Sequence, residues 1–184
     1  DEDSMFMFLL RAGVNGAFVD GGKVFLSPRG TTIEMGHISI DYDGPPCVCG
    51  ASGCLEAYMT SLDKGDLGEG RWLFEGLGDL LPSCESCVTD SQGRSLSGEE
   101  ALTLAARYLA SAVQTVSRLF RPSSFLFVAW SASLATELAR RVGEVLAAAP
   151  SNFDEAQPRF IGRAYDAELA QRGAADLVVD AFLG

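Results

Sequence analysis

Positive charge is scarce in this sequence. The 14 lysines and arginines face 25 aspartates and glutamates, so the formal net charge is −11 and the isoelectric point is about 4.4. A surface that acidic repels phosphate backbones, and the chain by itself is not expected to bind nucleic acid. Long apolar runs are also missing. None is long enough to span a bilayer, so no membrane partner is expected. The opening DEDSM is acidic, whereas a secretory signal peptide would open on basic residues. Histidine occurs once, at His37. Cysteine occurs 5 times, an odd number, and three of them crowd into the short run from Cys47 to Cys54. That crowding argues against a disulfide framework and for a reducing compartment with thiols used as ligands, so a cytoplasmic location is expected.

The rest of the composition suits a packed domain. The 184 residues are 47% hydrophobic and 21% charged, which favours one ordinary folded unit over disorder. Residues 5–12, MFMFLLRA, predict a buried strand. GAFVDGGKVFL predicts two strands reversed at Asp20-Gly21-Gly22. HISID predicts a further short strand, followed by a Gly/Pro/Cys loop over 41–55 and a helix starting near Leu55. The region 63–96 reads as a variable insertion with one short helix around Trp72–Leu80. Ser97-Gly98-Glu99-Glu100 fits a capping box opening a long helix from Glu99 to Phe120, stopped by Arg121-Pro122. SFLFVA predicts a short buried strand, 133–148 a helix, PRFIG a strand, and 166–183 one or two helices. A hairpin followed by alternating helices and strands predicts an α/β fold, with a mixed sheet packed by helices.

The stretch MGHISIDYDGPPCVCGASGCLEA, residues 35–57, carries the chemistry. His37, Cys47, Cys49 and Cys54 supply four N/S donors within one loop. Gly44, Pro45, Pro46, Gly50 and Gly53 let that loop turn tightly. Four such donors match the closed tetrahedron of a structural Zn²⁺ site, with thiolates and a neutral imidazole as ligands. The plainer alternative is a set of free cysteines beside a satisfied histidine. Elsewhere, Cys84-x-x-Cys87 lacks partner ligands nearby and reads as a surface loop with two thiols. Trp72 and Phe74 read as core, as does the Leu/Ala/Val stripe along 101–120.

These residues resemble the signature of the ROK family (repressors, open reading frames and sugar kinases). That pattern is Gly-His, then Cys-x-Cys-Gly-x-x-Gly-Cys-x-Glu, and the chain keeps Gly36, His37, Cys47, Cys49, Gly50, Gly53, Cys54 and Glu56. Upstream, Glu34 and Met35 stand in register with the family's Gly-Glu-Ile-Gly-His. Near the end, Gly173-Ala174-Ala175 resembles its terminal helix. The resemblance implies the C-terminal lobe of a two-lobed actin-like, ribonuclease H-like ATPase fold. It implies a single lobe over 1–184 with the zinc loop at 37–56, and an N-terminal lobe and any DNA-binding domain outside this chain. It also implies that Glu34, His37 and Glu56 contact hydroxyls of a hexose or related sugar. Carboxylates suit that task because they accept hydrogen bonds from vicinal hydroxyls.

The sequence also departs from the family's kinases. Their phosphate-binding turn resembles Gly-Thr-Gly-Ile-Gly-Ala-Gly. Here RAGVNGAF keeps Gly13, a residual phosphate contact, with Gly16 nearby, and places Arg11, Asn15 and Ala17 among the other positions. In a second turn, Trp130 and Ser131 stand where adenosine-side glycines are expected, and an indole there is expected to crowd a nucleotide. ATP binding is therefore not expected, and the balance leans away from an enzyme. The expected function is the sugar-sensing, oligomerising lobe of a ROK-type transcriptional regulator, reaching DNA only through a domain outside this chain. The alternatives are the C-terminal half of an ATP-dependent, glucokinase-like hexose kinase and a zinc-stabilised oligomerisation module without sugar binding. A mean hydropathy of +0.14 and a lobe lacking its partner predict a homodimer or higher homo-oligomer, with the helix over 99–120 as one surface.

Overall fold

The structure is a computed structural model that describes residues 4–11, 13–25, 33–61, 71–72, 88–90, 92–149, 158–168 and 170–171. Its centre is a five-stranded mixed sheet ordered β3-β2-β1-β8-β9. Strand β1 (Met5–Leu10) pairs antiparallel with β2 (Val14–Asp20), which pairs antiparallel with β3 (Lys23–Val24) across the Gly21-Gly22 turn. On its other side β1 runs parallel to β8 (Ser124–Ala129), and β8 runs parallel to β9 (Arg159–Ala164). This hairpin-plus-parallel arrangement is the mixed α/β sheet that the element order predicts.

The sheet's core is aromatic. Alternation in MFMFLL sends Phe6, Phe8 and Leu10 to one face, where they are buried. Parallel register sets Phe6 beside Phe125 and Phe8 beside Phe127. The Phe8 and Phe127 rings stack with centroids 5.4 Å apart and planes 7° apart, and Phe125 stacks on Phe160 of β9 at 5.8 Å. Strand β8 is buried along nearly its whole length, which explains its unbroken apolar sequence.

Two long helices cover this face. Helix α2 (Gly98–Leu119) opens with the predicted capping box, in which the Ser97 hydroxyl accepts from the Glu100 amide and the Glu100 carboxylate accepts from the Ser97 amide at 2.8 Å. It ends where Arg121 takes a positive φ of 48° just before Pro122. Its buried stripe includes Leu102, Leu109, Val113 and Val116, while Thr103, Arg107, Ser111, Thr115 and Arg118 face outward. Helix α3 (Ala132–Ala148) is capped by the Ser131 hydroxyl and packs on β8 and β9. Arg141 fastens α3 to α2 through Glu99 at 2.8 Å and the Thr103 hydroxyl at 2.9 Å, while its Nε pairs with Glu137 at 2.6 Å. No helix among the described residues is long and apolar enough to cross a membrane.

Local readings needed correction in two places. HISID does not form a strand. Met35–His37 is a 3-10 turn, and only Ser39 bridges, to Cys54, because the chain must curl back to bring His37 to the cysteines. Within 63–96 the structure has strand β5 (Arg71–Trp72), paired with β4 (Thr60–Ser61), where a helix was expected to begin. It also has an unforeseen hairpin of β6 (Val88–Thr89) and β7 (Ser95–Leu96). The expectations for 73–80, Phe74, Cys84, Cys87, Gly173, Ala174 and Ala175 lie outside the described residues.

Candidate functional site

The 3-10 turn Met35–His37 and helix α1 (Leu55–Met59) build the site from opposite ends of one loop. Glu34 stands at the N-cap of this turn, and the His37 amide donates to the Glu34 carbonyl at 3.1 Å. The loop closes by backbone pairing: Ile40 N–H to the Gly53 carbonyl at 2.8 Å, Leu55 N–H to the Ile38 carbonyl at 2.9 Å, and Gly53 N–H to the Pro45 carbonyl at 2.8 Å. At its tip the Gly50 amide donates back to the Cys47 carbonyl at 3.0 Å, a tight turn from which the Cys47 and Cys49 sulfurs both join the donor cluster. Gly53 has a φ of 66°, and any side chain there would overlap the Asp41 carbonyl, so only glycine closes this crossing.

The four predicted ligand atoms converge. They all lie within 4.8 Å of one another. His37 Nδ1 is 3.5 Å from Cys47 Sγ, and Cys49 Sγ is 3.6 Å from Cys54 Sγ. A disulfide would need about 2.05 Å, so the thiols are free. A tetrahedron with metal–sulfur bonds of about 2.3 Å has edges of about 3.7 Å, close to both measured pairs. The donor set therefore fits a tetrahedral metal of the zinc type. Cys54 is buried and Cys49 is exposed. Burial, followed by the neighbouring Cys49 and Cys47 thiols, pushes the Cys54 thiol up to about 12. A hydrogen bond from the Ala51 backbone leads the effects that hold the Cys49 thiol below its ordinary value. Crowded thiols resist ionising together unless a cation compensates them, which is what a metal supplies.

Glu56, on the first turn of α1, is drawn toward the sheet. Its Oε2 accepts from the Val14 amide at 3.2 Å. Gly36 makes room for it: a Cβ at Gly36 would overlap the Glu56 carboxylate and lie 2.9 Å from the Val14 carbonyl. The glycine of Gly-His thus has a physical reason here. Val14 follows Gly13, whose φ of 157° is a conformation that residues with side chains rarely adopt. The carboxylate beside the metal loop is therefore tied to the β1–β2 turn.

Sequence reading missed the brace behind the loop. The Tyr58 hydroxyl donates to Asp41 Oδ2 at 2.7 Å. The Tyr58 ring packs on Tyr108 of α2 at 4.7 Å, the Tyr108 hydroxyl accepts from Arg94 at 3.4 Å, and Arg94 Nε pairs with buried Asp90 at 2.6 Å. Burial, then the Asp41 hydrogen bond, pushes the Tyr58 hydroxyl up to about 12, so it stays a donor. The only hint in the sequence was the tyrosine two positions after Glu56.

The ROK family profile matches residues 1–181, and the chain belongs to the ROK family. Two curated relatives are N-acetylmannosamine kinases. The one from Escherichia coli O139:H28 is 38% identical over 60 residues, 33% of this chain and 21% of that protein. The one from Shigella boydii serotype 18 is 40% identical over the same length and shares. Among solved structures, the ROK hexokinase from Thermus thermophilus superposes with a TM-score of 0.65 at 24% identity, covering 95% of this chain and 58% of that one. The ROK family glucokinase from Streptomyces griseus, solved with glucose and AMPPNP, gives 0.64 at 18%, covering 96% and 60%. These likenesses establish the actin-like fold, and the chain spans less than two thirds of each relative's length.

One expectation is overturned. The eroded glycines leaned against an enzyme, yet these two curated relatives and these two solved structures are kinases, so that lean is not supported. The glycine count was a poor guide for a physical reason. Gly16 is held by packing, since a Cβ there would crowd Met35 and Phe6, so it says nothing about phosphate. Arg11 and Trp130, two of the departures from the family pattern, are in contact in the fold.

Proposed function

We propose that the chain is the C-terminal, sugar-facing lobe of an ATP-dependent ROK kinase acting on a hexose or N-acetylhexosamine. A structural zinc on His37, Cys47, Cys49 and Cys54 would organise its sugar wall. The observation that carries the reading is the hydrogen bond from Val14 N–H to the Glu56 carboxylate, one residue beyond Gly13. It sets a candidate sugar-hydroxyl acceptor against the turn that resembles the family's phosphate loop, as transfer from a nucleotide to a sugar requires. The kinase names of the curated relatives point the same way.

In this reading Glu34, His37 and Glu56 accept from or donate to sugar hydroxyls. His37 Nδ1 faces the thiols, which leaves Nε2 for the sugar. The metal, when bound, fixes the loop and takes no part in the chemistry. The other lobe closes the cleft and carries the general base. The test is a coupled ATP-consumption assay on the full gene product with a panel of hexoses and N-acetylhexosamines. Sugar-dependent ADP formation is expected, with Glu56→Gln lowering kcat/KM by about 100-fold or more. No turnover with any sugar in zinc-loaded protein would sink the kinase reading.

A further inference from the structure

Three parallel strands end side by side, and the first residue beyond each is Arg11 after β1, Trp130 after β8 and Tyr165 after β9. Their ends are held level by register, Val128 pairing with both Leu9 and Arg163, and by the Tyr165 amide donating to the Ala129 carbonyl at 2.7 Å. The side chains form one stack. The Arg11 guanidinium carbon lies 4.2 Å from the Trp130 ring centroid and 3.9 Å from that of Tyr165. Arg11 Nε is buried with no hydrogen-bond partner among the described residues, so the rings hold this cation. Trp130, with Arg11 against one side of its ring, remains 49% exposed.

We propose that Trp130 is a nucleobase platform: an indole pinned from behind by the Arg11–Tyr165 pair, whose open side stacks the base of the phosphoryl donor. This rests on the kinase reading above. Open α/β sheets bind ligands in the crevice outside the carboxyl ends of their parallel strands, where this stack sits. An exposed tryptophan is entropically cheap to use once it is already immobilised, because little side-chain freedom remains to be lost on binding. Any planar base offers a π-face to it, which gives affinity without strict base selectivity. The indole that was expected to obstruct a nucleotide is, on this account, what holds it.

The obstruction and platform accounts predict opposite signs. Magnesium-free ADP, AMP and inorganic tripolyphosphate are titrated into the full chain while indole fluorescence is followed, Trp130 being one of 2 tryptophans. Affinities are taken by calorimetry for the parent, Trp130→Ala and Arg11→Ala, each checked for folding by circular dichroism. ADP and AMP are expected to quench fluorescence and tripolyphosphate is not. Trp130→Ala should weaken ADP by about 10- to 100-fold, and Arg11→Ala should weaken it less by loosening the indole. Tighter or unchanged ADP binding by folded Trp130→Ala, binding without quenching, or no ADP binding by the parent would each overturn the proposal. Sugar phosphorylation is scored separately. Turnover without quenching removes the platform and keeps the kinase, and quenching without turnover does the reverse.

Discussion

Removing one oxygen, by Tyr58→Phe, should loosen the metal loop without unfolding the lobe. The Tyr58 ring is buried between α1 and α2 and packs on Tyr108, and phenylalanine keeps that packing. What is lost is a 2.7 Å hydrogen bond to the Asp41 carboxylate. Asp41 lies between His37 and Cys47, and its carbonyl also receives the Gly44 amide at 3.1 Å. A hydrogen bond to a charged acceptor contributes about 1.5–3 kcal/mol, and Asp41 is solvent-exposed, so the lower end applies. About 1.4 kcal/mol is a factor of ten, and outer partners of metal ligands typically tune affinity by about 10- to 100-fold. Zinc release into excess chromogenic chelator should therefore be about ten times faster in Tyr58→Phe, while the apo proteins melt within a few degrees of each other. A cycle with Asp41→Asn should show coupling of about 1 kcal/mol between the two changes. Because the folded hydroxyl titrates near 12 against an ordinary value of 10.0, the clamp's contribution is fully present below pH 10 and is lost as pH rises toward 12. Unchanged release from Tyr58→Phe, or strictly additive effects in the cycle, would refute the brace.

Gly36→Ala should displace the Glu56 carboxylate and lower Tm by about 4–8 °C, as expected for roughly 2 kcal/mol of overpacking, with a proportionately larger loss of sugar affinity by calorimetry. Equal sugar binding would show that Glu56 is not held by that contact. Glu137, paired first with Arg140 and then with Arg141, is held down to about 2 against an ordinary 4.5. A depressed carboxylate contributes stability that is present above pH 4.5 and lost as pH falls through 2. After solvent screening the loss is about 1–2 kcal/mol, so chemical denaturation of Glu137→Gln should show a flatter pH profile across that window than the parent. Parallel profiles would contradict it.

Much of the fold was legible because local rules and tertiary packing agree. MFMFLL alternates, SFLFVA is apolar throughout, and Ser97 with Glu100 caps a periodic run, so each element follows from its own residues. HISID failed because its alternation was overruled by the curl that brings His37 to Cys47. The four candidate metal donors that the structure brings together were readable from residue type and spacing alone. The Gly36–Glu56–Val14 contact and the Tyr58–Asp41 brace were not, since both join segments whose approach is fixed only by the folded loop. The lean away from an enzyme, which the kinase relatives overturn, rested on positions that sequence reads one at a time. Arg11 and Trp130 read as two lost glycines in sequence, and only the parallel register of β1, β8 and β9 reveals that they touch each other and Tyr165.

The central claim is a metal-organised sugar wall, and elemental analysis of the purified chain beside Cys49→Ala tests it most directly. The account predicts about one zinc per parent chain and its loss or sharp weakening in the variant, because Cys49 supplies one of the four donors. Parent protein without metal after preparation in reducing, chelator-free buffer would contradict it, and would strip His37, Glu34 and Glu56 of the scaffold their sugar roles depend on.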